Sequence, residues 1–135
     1  SITNASFSAV ICISVLEHTQ HPEKILNEIF RILKPGGKVF LSTPWLFETH
    51  MAPQDFHRFS EYYYQLPHLK NFKIEYTDPT NGYFGLLAHF CQQNYFFRFT
   101  TGIFCLLLAQ LLDNKINFQW ATQITIILSK PSSAN

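Results

Sequence analysis

Glu17 and His18 follow an apolar run, Ala9-Val10-Ile11-Cys12-Ile13, just beyond the point where polarity returns to the chain at Ser14. A carboxylate beside an imidazole at such a place can do chemistry of two kinds. The imidazole, with an ordinary pKa of about 6.5, can accept a proton from a hydroxyl group. Together the two side chains can help hold a divalent ion, but one carboxylate and one imidazole fall short of a ligand set, so no metal is assigned to them. The structural alternative is that both residues cap and orient the helix that follows. Three cysteines, Cys12, Cys91 and Cys105, sit inside apolar runs without paired metal spacing and read as reduced, buried thiols.

These side chains need a frame, and the flanking sequence supplies one. A short continuous apolar run is the pattern of a strand covered on both faces, as in a parallel sheet. His21-Pro22-Glu23 opens a helix: proline suits the first helical position and an early acid suits the positive end of the dipole. Ile25, Leu26, Ile29, Ile32 and Leu33 recur at helical spacing and form its buried stripe. Lys24, Glu28 and Arg31 fall on the solvated face, in pairs that stabilise by roughly 0.2–0.5 kcal/mol each. Lys34-Pro35-Gly36-Gly37 stops the helix, with a cation near its negative end and glycines free to take positive φ. Lys38 to Ser42 resumes as a strand. A right-handed crossover then places Ser14 to His18 and Thr43-Pro44-Trp45 on one rim of the sheet, where open parallel sheets bind ligands.

Val15-Leu16-Glu17-His18, then Glu28 to Gly37, then Ser42-Thr43-Pro44, in this order and spacing, resemble the middle of the class I S-adenosylmethionine-dependent methyltransferases. Asp55-Phe56-His57-Arg58-Phe59-Ser60 resembles that family's next helix, Phe72 to Tyr76 its sixth strand, and Ala121 to Lys130 its last, antiparallel one. The resemblance implies an α/β fold: a Rossmann-like methyltransferase sheet represented by its C-terminal half, strands 4, 5, 6 and antiparallel 7. It implies S-adenosylmethionine as cofactor, with Ile13, Ser14 and Val15 beside its methionyl part. His18 is then the candidate catalytic base. Glu17, Trp45, His57 and Arg58 are candidates for binding a small-molecule acceptor, with Phe47, His50 and Met51 in the same loop as Trp45. One departure is that Phe7 is followed by Ser8 where the family usually has aspartate. A larger one is that the five glycines nowhere form the glycine-rich turn that holds the cofactor. The expectation is therefore the C-terminal part of a methyltransferase, lacking an N-terminal half as its partner and inactive alone.

Composition agrees with apolar surface awaiting cover. Only 14% of the 135 residues are charged, against about 25% in typical domains, and 16% are aromatic. A net charge of +1 offers no basic stripe for nucleic acid. Gly82 to Phe90 and Ile103 to Leu112 each read as a helix, joined by Gln92 to Gly102, in a hairpin inserted between the last two strands. Neither reaches the roughly 20 apolar residues of a membrane span. Residues 82–112 are open to four readings: a lid over a lipophilic or sugar-linked acceptor, an in-plane membrane contact, a dimer face, or ordinary packing. The chain thus divides into a core over 1–78, an apolar insertion over 79–119 and a final strand over 120–131, and is expected to be cytoplasmic, with peripheral membrane contact as an option. The alternative to an enzyme part is a non-catalytic membrane-associated or partner-binding module. His21, His68 and His89 are given no role beyond packing or solvent contact.

Overall fold

The computed structural model describes residues 2–93, 101–113 and 120–132. Strand β1, Phe7–Ile13, leads through a single 3-10 turn, Leu16–His18, into helix α1, Pro22–Ile32, and strand β2, Leu33–Pro44. Strand β3 follows at Lys73–Thr80, the helices α2 and α3 at Tyr83–Gln93 and Thr101–Leu112, and strand β4 at Gln123–Ser129. The sheet runs β1-β2-β4-β3, with β1 parallel to β2 and β4 antiparallel to both its neighbours. This is the mixed α/β arrangement expected from the sequence, with the last strand inserted beside β2. Of the stretch expected to join the two inserted helices, residues 94–100 lie outside the described residues, as do 114–119.

Alternation along the strands decides where the core sits, because successive side chains point to opposite faces. Cys12, Leu41 and Ile126 form one cross-strand row, and Val39 with Leu128 the next; all are buried, with Leu26, Ile29 and Leu16 in the same cluster. The row on the other face, Ile11, Phe40 and Tyr76, is exposed, with Ile127 half-buried between Phe40 and Tyr76. This corrects the expectation that β1 is covered on both faces: Ile11 is 73% and Ile13 50% exposed. β1 pairs only with β2 among the described residues, so it is an edge strand whose apolar side chains on that face meet solvent.

α1 begins with Pro22 in its first turn, as the sequence indicates, but its C-terminal end differs. β2 starts at Leu33 rather than Lys38, and Lys34 to Gly37 bulge out between the pairs Phe7–Leu33 and Ala9–Lys38. Gly36 takes φ of 76°, and a side chain on Gly37 would stand 2.8 Å from the Lys34 carbonyl oxygen, so both positions require glycine. The cation at the negative end of the helix is Lys130 from beyond β4, not Lys34, which is exposed. Lys130 Nζ donates to the Phe30 and Leu33 carbonyls at 2.9 Å each and lies 4.5 Å above the Phe30 ring centre.

The residues 55–60, expected to open a helix, form an irregular loop instead. Short 3-10 turns follow at Glu61–Gln65 and Pro67–Leu69, the second opened by the proline that ends the first. In the insertion, α2 and α3 pack on each other. The Asp113 carboxylate caps α2 from a distance, accepting from the Gly85 and Phe84 N–H groups at 3.0 and 3.3 Å. A side chain on Gly82 would stand 2.6 Å from Asp113 Cγ. Ile103, Phe104, Leu107 and Leu112 on α3 are exposed, yet no described helix is long and apolar enough to cross a membrane.

Removing the Lys130 ammonium leaves two helix-terminal carbonyls without their charged donor. Lys130→Met is expected to lower stability by roughly 1.5–3 kcal/mol, and Lys34→Met by less than about 0.5 kcal/mol, read from urea unfolding midpoints.

Candidate functional site

The end of β1 turns sharply at Ser14, which takes φ of 50° while its N–H donates to the Ser42 carbonyl of β2 at 2.9 Å. The 3-10 turn that follows buries Leu16 beneath the sheet and with it Glu17, whose side chain is wholly shielded from solvent. Neither carboxylate oxygen of Glu17 has a hydrogen-bond partner among the described residues. Two imidazoles face it: His18 Nε2 and His50 Nε2 each lie 3.8 Å from Glu17 Oε1. Their rings meet edge to face at 4.8 Å.

His50 reaches this place because the loop after β2 is folded back over the strand ends. Trp45 N–H donates to Thr122, Phe59 N–H to Pro44 and Phe56 N–H to the Glu17 carbonyl. Inside the loop, Asp55 and Arg58 form a forked pair, with contacts of 2.6 and 2.7 Å. The other guanidinium donors go to the Phe47, Glu48 and His57 carbonyls at 3.1, 2.7 and 2.7 Å. Asp55 also accepts the His50 backbone N–H at 2.8 Å. The hydrogen bonds from Arg58 hold the Asp55 carboxyl far below the ordinary aspartate range, helped by the His50 N–H and offset only partly by burial.

A cavity of about 200 Å³ opens above the cluster, lined by Ser14, Glu17, His18, Phe47, His50 and Met51 among others. It gathers three of the residues singled out from sequence, Ser14, Glu17 and His18, with three loop residues named as neighbours of Trp45. Trp45 itself packs against the core and does not line it. His57 and Arg58 instead border a separate depression of about 310 Å³ with Phe47, Thr49, Asp55 and Phe56. His57 Nε2 is buried there without a partner among the described residues. Ile13 and Val15 are exposed on either side of the Ser14 turn.

Two features were not visible in the sequence. One is that His50 faces Glu17; a histidine in a long loop carries no spacing signal toward a distant carboxylate. The other is His89, expected to do no more than pack. His89 Nε2 bonds Glu48 Oε2 at 2.7 Å, Gln93 donates to Glu48 Oε1 at 2.8 Å, and the His89 and Phe47 rings lie 4.8 Å apart. Helix α2 is thereby tied to the loop that carries His50. The three cysteines are free thiols, Cys12 and Cys105 buried, and burial raises the pKa of both.

Residues 1–41 match a family model described as a methyltransferase domain. The chain is 55% identical over 38 residues to a ubiquinone biosynthesis O-methyltransferase of Xanthomonas oryzae pv. oryzae, a match covering 28% of this chain and 16% of that protein. The corresponding enzyme of Dechloromonas aromatica is 49% identical over 37 residues, again 16% of its length. These matches span about a sixth of the length of the curated relatives. Among solved structures, phosphoethanolamine N-methyltransferase 2 of Haemonchus contortus, in complex with S-adenosyl-L-methionine, superimposes on 97% of this chain and 35% of its own. The TM-score is 0.57 at 18% identity. The [4+2]-cyclase SpnF gives a TM-score of 0.57 at 16% identity, over 96% of this chain and 52% of that one. At such identities the likeness is one of fold.

Because the Asp55 carboxyl is depressed in the folded state, its contribution to stability is complete above the unfolded value of about 3.9 and is lost as pH falls below it. Melting temperature is expected to drop between about pH 4 and pH 2 in the native chain, and to drop less in Asp55→Asn, measured by circular dichroism. Arg58→Ala removes the guanidinium from the buried carboxylate and is expected to cost roughly 3 kcal/mol.

Proposed function

We propose that the chain is part of a class I S-adenosylmethionine-dependent methyltransferase, a reading supported by the methyltransferase-domain match over residues 1–41, and that the cavity above Glu17 is the acceptor side of its methyl-transfer site. The observation that carries this reading is its position. The cavity lies at the carboxyl ends of the two parallel strands, on the rim where such sheets bind ligands, and holds a proton-accepting group beside the turn assigned to the cofactor. Ile13, Ser14 and Val15 at that turn meet the methionyl end of the donor. The exposed Ile13 and Val15 side chains leave room for a ligand beside β1.

The transfer is an in-line displacement. When bound, S-adenosylmethionine would supply the methyl group to an acceptor oxygen, with the sulfur–methyl electron pair retained on the departing thioether. Alignment of donor and acceptor carries most of the acceleration. The acceptor hydroxyl proton passes to His18 Nε2, and the buried Glu17 carboxylate opposite stabilises the resulting imidazolium. Phe47 and Met51 on the cavity wall suit a lipophilic, hydroxyl-bearing small molecule. The relatives named for O-methylation support oxygen as the nucleophile. His57, with its unpartnered Nε2, contacts a polar substituent of the acceptor in the neighbouring depression, while Trp45 and Arg58 act by holding the loop rather than by touching it. The apolar α2–α3 hairpin, tied to Glu48, serves as a lid and a peripheral membrane contact through which such an acceptor arrives. A second reading, a partner-binding module, is favoured by the exposed apolar face of the sheet alone.

Among the described residues no glycine-rich turn follows a strand, and this reading divides the donor's contacts, the methionyl end lying at Ile13, Ser14 and Val15 and the nucleotide end not held by them. Titration with S-adenosylhomocysteine is expected to show no measurable binding to this chain by itself, and micromolar affinity would overturn that division of contacts. In a polypeptide that also carries the glycine-rich half, His18→Ala is expected to lower kcat for methyl transfer from radiolabelled donor by about 10²–10⁴-fold, and His21→Ala to leave it unchanged. Undiminished turnover in His18→Ala sinks the base assignment.

A further inference from the structure

Glu17 is a buried carboxylate with no hydrogen-bond donor among the described residues, a condition proteins rarely leave uncompensated. The two imidazole nitrogens nearest to it, at 3.8 Å, are too far to donate to it. They are well placed for something smaller than a residue. We propose that Glu17, His18 and His50 form a binding site for a divalent ion of the zinc class.

Geometry carries the proposal. One donor atom from each of the three residues can be chosen so that all lie within 4.8 Å of one another. Bonds of about 2.0–2.2 Å from a shared tetrahedral ion place neighbouring ligands roughly 3.4 Å apart, so closure contracts the two contacts to Glu17 by a few tenths of an ångström and the imidazole–imidazole edge by up to about 1.4 Å. The outer nitrogens are already engaged. His18 Nδ1 is hydrogen-bonded to the Gln54 carbonyl, and His50 Nδ1 stands 3.3 Å from the Glu48 carbonyl and 3.6 Å from Asp55 Oδ2. An Nδ1–H donated outward leaves the Nε2 lone pair facing Glu17, and a carbonyl or carboxylate behind a histidine is the usual support of a metal-binding imidazole.

The donor set selects the ion. Two imidazoles and one carboxylate suit zinc and its transition-metal neighbours, whereas magnesium and calcium prefer oxygen ligands throughout. Three protein ligands leave a fourth position, and the cavity lined by Ser14, Phe47 and Met51 opens onto the cluster. Such an open position is where a zinc ion takes water or a substrate oxygen and lowers its pKa. The inference stands apart from methyl transfer, since it concerns what these side chains bind when neither donor nor acceptor is present. An ion there occupies the His18 Nε2 lone pair, so the ion-bound form is distinct from the form in which His18 serves as base.

The test is direct. The untagged full chain, stripped with a chelator and dialysed against zinc chloride at neutral pH, is expected to retain one zinc per chain by elemental analysis. Glu17→Gln and His50→Ala should each weaken zinc binding at least tenfold, and His21→Ala should not. Far-UV circular dichroism establishes that the variants fold; His50 lies in a loop and Glu17→Gln preserves shape. Cobalt(II) supplies a second readout, a visible ligand-field spectrum that is lost in His50→Ala. Absence of zinc from the native chain, undiminished binding in Glu17→Gln or His50→Ala, or retention of magnesium in preference to zinc would each overturn the proposal. None of these measurements uses the methyl donor, so their failure leaves the methyl-transfer reading to its own assay.

Discussion

The structure depends on the pairing of β2 on both its edges, parallel to β1 and antiparallel to β4. A strand in this central place has its backbone donors and acceptors engaged on either side, and its alternation puts Val39 and Leu41 into the core. The antiparallel neighbour brings Lys130 back across the sheet to the end of α1, where it meets the Phe30 and Leu33 carbonyls. One strand pairing thereby closes the core and seats the helix, and it brings the carboxyl ends of β1 and β2 to a common rim.

What happens on that rim is governed by charge held out of water. The Asp55–Arg58 pair shapes the loop from within, using the guanidinium as a five-pronged tie among carbonyls and a carboxylate. That tie sets His50 over the Ser14 turn, opposite a Glu17 carboxylate that has no hydrogen bond among the described residues. The loop is satisfied and the floor beneath it is not. A difference of that kind between adjacent polar groups is what singles out the floor as the candidate site, with the loop packed above it.

The apolar surfaces follow a similar division. One sheet face is filled by α1 and the 3-10 turns, while Ile11, Phe40 and Tyr76 on the other remain open. The inserted helices place apolar side chains outward as well, yet α2 is anchored by its Glu48 contacts to the loop above the cavity. Any movement of that helix is coupled through Glu48, Phe47 and their neighbours to the position of His50. The low charge of the chain, evident from composition, is realised as these two exposed apolar regions.

The sequence by itself determined the strand–helix–strand unit, the opening of α1 at Pro22 and the placing of Glu17 and His18 at a strand end. These depend on contacts a few residues apart, where propensity and periodicity act. The glycines after α1, however, it read as a helix stop where the structure has a bulge within β2. It also marked the two inserted helices and the last strand, because their apolar runs are long. The role of Lys130 was not legible, since its carbonyl partners are 97 and 100 residues away, and the nearer Lys34 satisfied the same local rule. Nor was the meeting of His50 with Glu17, the capping of α2 by Asp113 or the link from His89 to Glu48. A polar side chain in a loop leaves no periodic trace of its partner. Only folding the loop back over the strand ends brought the second imidazole to the carboxylate, and so turned a two-residue motif into a three-sided site.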